Sequence, residues 1–261
     1  MSVDQRPLDY HFSEIAGDFR ALRFTDPEPV AYIQGQLASS PAIVGIELGS
    51  GTGRYTAELF AALDGRLTLH CVDACAEMLV ELDRRLSGDY EGQYTITRGA
   101  VEEVRFAPGA CDAVFSFNAL HHFDLPRALR NVAAWLRPGG LAFLYTRTPS
   151  QNACSLWGRY FPGFVEKEHR LKDRATLLAA VAATPGLRWV ETKRFAYTRR
   201  ADLETVLDKV DHFHYSTFRL FRPDELEAAR EVFFKRLLVI YPDPEDIVWR
   251  DYNLMFVIEK Q

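Results

Sequence analysis

From about residue 25 to residue 146 the chain repeats one pattern: a short apolar run, then a segment whose apolar residues recur every four positions. Ala42-Ile43-Val44-Gly45-Ile46-Glu47-Leu48 is the first such run after an opening helix at Asp26-Pro27 that reaches Leu37. A run this apolar and β-branched reads as a parallel strand buried on both faces. Tyr55, Leu59 and Leu63 then mark a helix that Asp64-Gly65 stops. The cycle repeats with a strand over 66–73, a helix carrying Met78, Leu82 and Leu86, and strands over 94–97 and 113–117. A helix capped by Asp124 follows, closed by Pro138-Gly139-Gly140, and a fifth strand runs over 141–146. Strands alternating with helices require right-handed crossovers, and so an α/β fold with a doubly wound, mostly parallel sheet.

Beyond residue 147 the rhythm changes. An aromatic-rich stretch precedes a helix over 173–183, a strand over 187–197, two helical patterns at 201–214 and 223–240, and a last strand over 252–258. The late helices lie between the last two strands, so they read as a cap grafted on the sheet rather than a second domain. The cap insertions fall at about 148–172 and 198–248.

Charge narrows the function classes. The 31 Lys and Arg against 36 Asp and Glu give a formal charge of −5, which argues against a chain that works mainly by neutralising phosphates. No apolar run approaches the roughly 20 residues that span a bilayer, and the first residues hold no apolar signal core. The four cysteines, Cys71, Cys75, Cys111 and Cys154, form no C-x-x-C pair, which fits buried thiols in a reducing compartment. A cytoplasmic protein is expected, with no membrane partner and no metal.

The chemistry concentrates at Glu47-Leu48-Gly49-Ser50-Gly51-Thr52-Gly53-Arg54, between the first strand and its helix. Alternate glycines allow a tight turn and a close ligand approach, and the helix behind them offers unpaired N–H groups. Asp73 ends the second strand 20 residues after Gly53, the offset at which a carboxylate meets a ribose across such a crevice. It could equally cap the next helix. A dinucleotide fingerprint would need glycine at residue 54, where this chain has Arg54.

The E-x-G-x-G-x-G form instead resembles the first motif of the class I S-adenosylmethionine-dependent methyltransferases. Gly99-Ala100-Val101-Glu102, the stretch from Cys111 to Phe123 and Leu136-Arg137-Pro138-Gly139-Gly140 resemble further stretches of that family in the same order. The resemblance covers residues from about 10 to 146 and, more loosely, the final strands. It implies a Rossmann-like, seven-stranded, mostly parallel sheet with an antiparallel last strand, folded as one methyltransferase domain over 1–261. The core would span about 26–147, beneath a helical lid at about 8–25.

By the same resemblance, S-adenosylmethionine would meet Glu47, Gly49, Ser50, Gly51 and Gly53, with Asp73 on its ribose. Ala74, Met78, Val101 and Glu102 would lie near the adenine; Met78 also fits the core stripe with Leu82 and Leu86. Many relatives carry an acidic residue where this chain has Ala100. Asn118 would sit beside the sulfonium, and Phe19 and Arg23 in the lid would cover the cofactor. His121 and His122 are candidate general bases, or packing and capping groups. Trp157, Tyr160, Phe161, Phe213 and Tyr215 could line an apolar pocket for a hydrophobic or aromatic small molecule, or form the cap's own core. His212 and His214 are alternative bases. The expected reaction is therefore O- or N-methylation of a small metabolite. A nucleic-acid methyltransferase is the runner-up, opposed by Asn118-Ala119-Leu120-His121 where amino-methylating enzymes carry N/D-P-P-Y/F. A non-catalytic cofactor binder is the third reading.

Overall fold

The computed structural model describes residues 25–261. The expected lid, with Phe19 and Arg23, lies outside the described residues. The core elements are α1 (Pro27–Gln36), β1 (Ile43–Leu48), α2 (Arg54–Leu63), β2 (Leu67–Asp73), α3 (Ala76–Leu86), β3 (Tyr94–Arg98), β4 (Cys111–Phe117), α4 (Leu125–Trp135) and β5 (Leu136–Thr146). Then come α5 (Pro149–Cys154), α6 (Leu156–Tyr160), α7 (Phe164–Lys167), α8 (Arg174–Ala182), β6 (Leu187–Ala201), α9 (Leu203–Asp211), α10 (Pro223–Ile240) and β7 (Ile247–Lys260).

The seven strands form one sheet in the order β3-β2-β1-β4-β5-β7-β6. Strands β1 to β5 pair in parallel, and β7 runs antiparallel to both of its neighbours, as the sequence leads one to expect. The strand order reverses between β1 and β4, which opens a crevice at their carboxyl ends.

Alternate side chains of the central strands feed two cores, one on each sheet face. Ile46, Leu48 and Val114 pack with Leu129 and Val132 of α4 and Leu177 of α8. On the other face Ile43, Ala113 and Phe115 meet Ile33 of α1, Leu59 of α2 and Leu82 of α3. A third cluster, with Trp157, Phe161, Phe164, Phe218 and Phe233, belongs to the cap and rests on Ile247 and Trp249 of β7.

Three boundaries differ from the sequence reading. Strand β5 begins directly after Trp135, so Pro138-Gly139-Gly140 does not close a helix but folds into a bulge opposite Asp112. Asp112 pins that bulge, pairing with Arg137 at 2.5 Å and accepting from the Val44 amide at 2.7 Å. Strands β6 and β7 run on to Ala201 and back to Ile247, paired throughout. The expected strand stops at residue 197, yet ion pairs to Asp26 (2.7 Å) and Asp251 (3.6 Å) hold the half-buried Arg199 within β6. The second insertion accordingly starts after β6, with α9 shorter than expected and a 3-10 turn over Ser216–Leu220.

Candidate functional site

Strand β1 ends on Leu48, and the next five residues make a loop whose three glycines all have positive φ. The loop hangs on β2: the amides of Gly49 and Ser50 donate to Val72 O at 2.8 and 3.0 Å. Asp73 fixes its far side, Oδ2 accepting from the Gly51 amide (2.8 Å) and Oδ1 from the Cys75 amide (2.9 Å). Asp73 therefore spans the gap between the two strand ends and is not the cap of α3, whose N-cap is Cys75.

The glycines serve different ends. A Cβ on Gly49 would lie 2.4 Å from the Cβ of Ala119, so glycine there lets β1's exit pass under the β4 turn. A Cβ on Gly51 would meet nothing within 4 Å and would project into the crevice. Gly53 does not line the crevice, contrary to its assignment from the motif. It starts α2, and a Cβ there would press on Leu82 Cγ at 2.9 Å, so it is needed for helix packing.

Glu47 is buried beneath the loop, accepting from Thr56 Oγ1 at 2.6 Å. Burial pushes its carboxyl up to about 8; the Thr56 hydrogen bond opposes this, and the Asp73 charge adds to it. At the end of β4, Asn118 adopts a left-handed φ of 54°, its amide bound to Tyr145 O at 2.7 Å and its Oδ1 accepting from Asn253 Nδ2 at 2.9 Å. The following 3-10 turn carries His121 and His122, ring centroids 4.0 Å apart.

These groups share one cavity of about 340 Å³. It is lined by Glu47, Gly49, Ser50, Gly51, Asp73, Ala74, Met78, Val101, Glu102, Asn118, His121 and His122 among the expected site residues. Glu102 also accepts from the Asp124 amide at 2.7 Å, which ties the Val101-Glu102 segment to the start of α4.

The cap closes the other side through Trp157, Lys209, His214, Tyr215 and Thr217, with Trp249 of β7 beneath them. Of the five aromatic residues expected there, Trp157 and Tyr215 line the cavity. Tyr160, Phe161 and Phe213 do not line it but pack in the cap's own core, the alternative that the sequence left open. Phe161 is buried against Phe218 and Phe233 with ring centroids 5.2 and 5.3 Å away. Tyr160 meets Tyr241 edge-on, and Phe213 lies under Arg219 at 4.0 Å. His212 faces out, hydrogen-bonded to Asp208 O, whereas His214 lines the cavity.

Sequence reasoning missed the polar wall between the sheet and the cap: Arg147, Glu168, Arg199, Lys209, Asp251 and Asn253. Burial pulls the Lys209 ammonium down to about 8, and the nearby Asp251 charge works the other way. Burial also disfavours the Glu168 carboxylate, yet its hydrogen bonds to Arg170 (2.5 Å) and Thr217 (2.6 Å) hold it below the usual range. Only Arg147 had a signal to follow, its place one residue past the fifth strand, where α/β proteins gather their ligands.

Comparison with known proteins agrees with the geometry. Residues 46–140 match the family model of a methyltransferase domain. An uncharacterized methyltransferase of Mycobacterium tuberculosis is 28% identical over 179 residues, 68% of each chain. A presumed methyltransferase from an antibiotic biosynthesis pathway of Anabaena variabilis superposes with a TM-score of 0.68 at 18% identity, covering 92% of this chain and 99% of that one. A phosphoethanolamine N-methyltransferase of Haemonchus contortus, solved in complex with S-adenosyl-L-methionine, gives a TM-score of 0.59 at 16% identity, covering 97% of this chain and 57% of that one. Residues 46–140 thus carry a methyltransferase-domain match, on a fold shared with solved methyltransferases.

Proposed function

We propose that the chain transfers the methyl group of S-adenosylmethionine to a small-molecule acceptor enclosed beneath the cap. The observation that carries this reading is convergence: the glycine loop, Asp73, Asn118 and the two histidines line the same cavity as the cap residues Trp157 and Tyr215. The site suits the cofactor on its own terms. The space over Gly51 is open where a Cβ would intrude, Asp73 reaches the loop from β2, and the buried Glu47 carboxyl lacks only a cation to favour its charged form.

Bound there, S-adenosylmethionine supplies a methyl on a sulfonium, open to in-line displacement. The protein's own work is to align and to exclude water. Glu47 and the loop amides hold the amino-acid part, Asp73 the ribose hydroxyls, and Ala74, Met78, Val101 and Glu102 the base. Asn118, fixed by Tyr145 and Asn253, sets the polar edge beside the methyl. His121 or His122 takes the proton of a hydroxyl acceptor, while Trp157 and Tyr215 keep the space dry.

Macromolecular substrates fit less well. The basic pairs on β6 that could form a phosphate stripe are engaged: Arg199 pairs with Asp26, Arg200 meets Asp246 at 3.2 Å, and Arg194 lies over Tyr252. The free thiols of the four cysteines suit a reducing, cytoplasmic setting. Among the described residues no helix is long and apolar enough to cross a membrane.

The test is a methyl-release assay on a metabolite panel, run with His121→Ala and His122→Ala. The reading predicts turnover in the wild type and, for hydroxyl acceptors, a loss of about 10²-fold or more in one His variant with cofactor affinity kept. Equal turnover of both variants across pH would remove the histidines from the chemistry. No methyl release with cofactor bound would leave a binder.

A further inference from the structure

The polar wall of the cavity holds hydrogen-bond donors that the protein does not satisfy. Arg147 donates through Nη2 to Asn253 Oδ1 at 3.4 Å, and its guanidinium stands 5.1 Å over the Tyr215 ring. Tyr215 also stabilises the Arg147 charge through its side chain, yet Nη1 is shut off from solvent with no hydrogen-bond partner, and so are the indole N–H groups of Trp157 and Trp249. The three side chains form one cluster. Trp157 lies 5.1 Å from Tyr215 and 5.8 Å from Trp249, ring centre to ring centre, and all of them line the cavity. Buried donors almost always find acceptors. Three that lack them, on residues lining one cavity, point to an acceptor that arrives with the occupant.

The charges agree. Arg147, Arg199 and Lys209 stand around Asp251, and Asp251 and Asp26 both pair with Arg199. Glu168 is spent on Arg170 and Thr217. Arg54 opens α2 and feels the charges of Asp26 and Arg199. Arg147 is the cation here whose Nη1 makes no hydrogen bond. A carboxylate supplies one charge and planar oxygens for a guanidinium; a phosphate monoester brings up to two. Asp251 Oδ1 is also buried without a hydrogen-bond partner, and it suits a hydroxyl or amine donor on the same molecule.

We propose that the methyl acceptor is a small carboxylic acid, gripped through its carboxylate by Arg147 and the N–H groups of Trp157 and Trp249. The proposal rests on the methyl-transfer reading above and names its substrate class. The carboxylate is the handle, not the group methylated. Arg147 is linked through Asn253 to Asn118, so an acid held there places its remaining polar group at the end of β4, near His121 and His122. This replaces the purely apolar pocket expected from the aromatic residues.

The test is calorimetry on the full chain with matched probes: 4-hydroxybenzoate, 4-hydroxyphenylacetate and indole-3-acetate, their primary amides, and 4-hydroxyphenyl phosphate. Each is titrated with and without S-adenosylhomocysteine. At least one acid is expected to bind tenfold or more tightly than its amide. Arg147→Met should abolish that preference and leave S-adenosylhomocysteine affinity within about twofold, and Arg147→Lys should restore part of it. Trp157→Phe and Trp249→Phe keep the rings but remove the donors, so each should shrink the preference even if the Arg147 variants fold poorly. Acids that bind no better than amides, a preference that survives Arg147→Met, or tighter binding of the phosphate would overturn the proposal. Failure to bind S-adenosylhomocysteine is a separate result, which strikes the methyl-transfer reading and leaves the acid-against-amide comparison standing.

Discussion

Glu47 shows how one residue couples folding, protonation and ligand charge. Its carboxyl ordinarily titrates at 4.5 and in the folded chain near 8, burial being the largest cause. Between those values the folded state holds a proton that the unfolded state has released, so stability falls as pH rises through the window. The expected loss from pH 5 to pH 8.5 is on the order of 4 kcal/mol from this group. Glu47→Gln should flatten the dependence, which denaturant melts at the two pH values will read. A cation placed against Glu47 should expel the proton. Binding of S-adenosylmethionine near pH 7 is therefore expected to release up to about one proton, seen as a dependence of the calorimetric enthalpy on the buffer, and to release none in Glu47→Gln.

The loop between β1 and α2 separates folding from binding at the scale of an element. Gly49→Ala combines a left-handed φ with a 2.4 Å approach to Ala119, so it should cost about 2–4 kcal/mol of stability. Gly51→Ala meets no neighbour and pays only the backbone term of about 1–2 kcal/mol, yet its methyl enters the crevice. Cofactor affinity should drop at least tenfold in Gly51→Ala while its melting temperature stays close to wild type. If affinity is unchanged, the crevice is not where the cofactor lies. This element was legible in the sequence because every part of it is local: an apolar run, alternate glycines and a carboxylate at a fixed offset. The ends of β6 and β7 were not legible. Arg199 and Asp251 fall outside the strands that the sequence suggests until a partner strand and Asp26, far away in sequence, neutralise them.

Over the described residues the molecule is a sheet with two cores and a separate capping cluster, and the cavity lies where the cap meets the strand ends. Aromatic richness in the sequence signalled that cap but could not say which ring faces inward. Trp157 lines the cavity, while Phe161, four residues on, fills the cap's interior. Phe233, fully buried in the capping cluster, tests the division of labour. Phe233→Ala should cost about 3–5 kcal/mol and loosen the roof, raising KM for the acceptor more than Kd for the cofactor. The central claim concerns the crest of β1 and β2, and one titration addresses it most directly: S-adenosylhomocysteine into the full chain, wild type beside Asp73→Asn. One-to-one saturable binding, weakened at least tenfold by the substitution, is what the account predicts. No binding by a folded wild-type chain, or equal affinity in the two proteins, would contradict it.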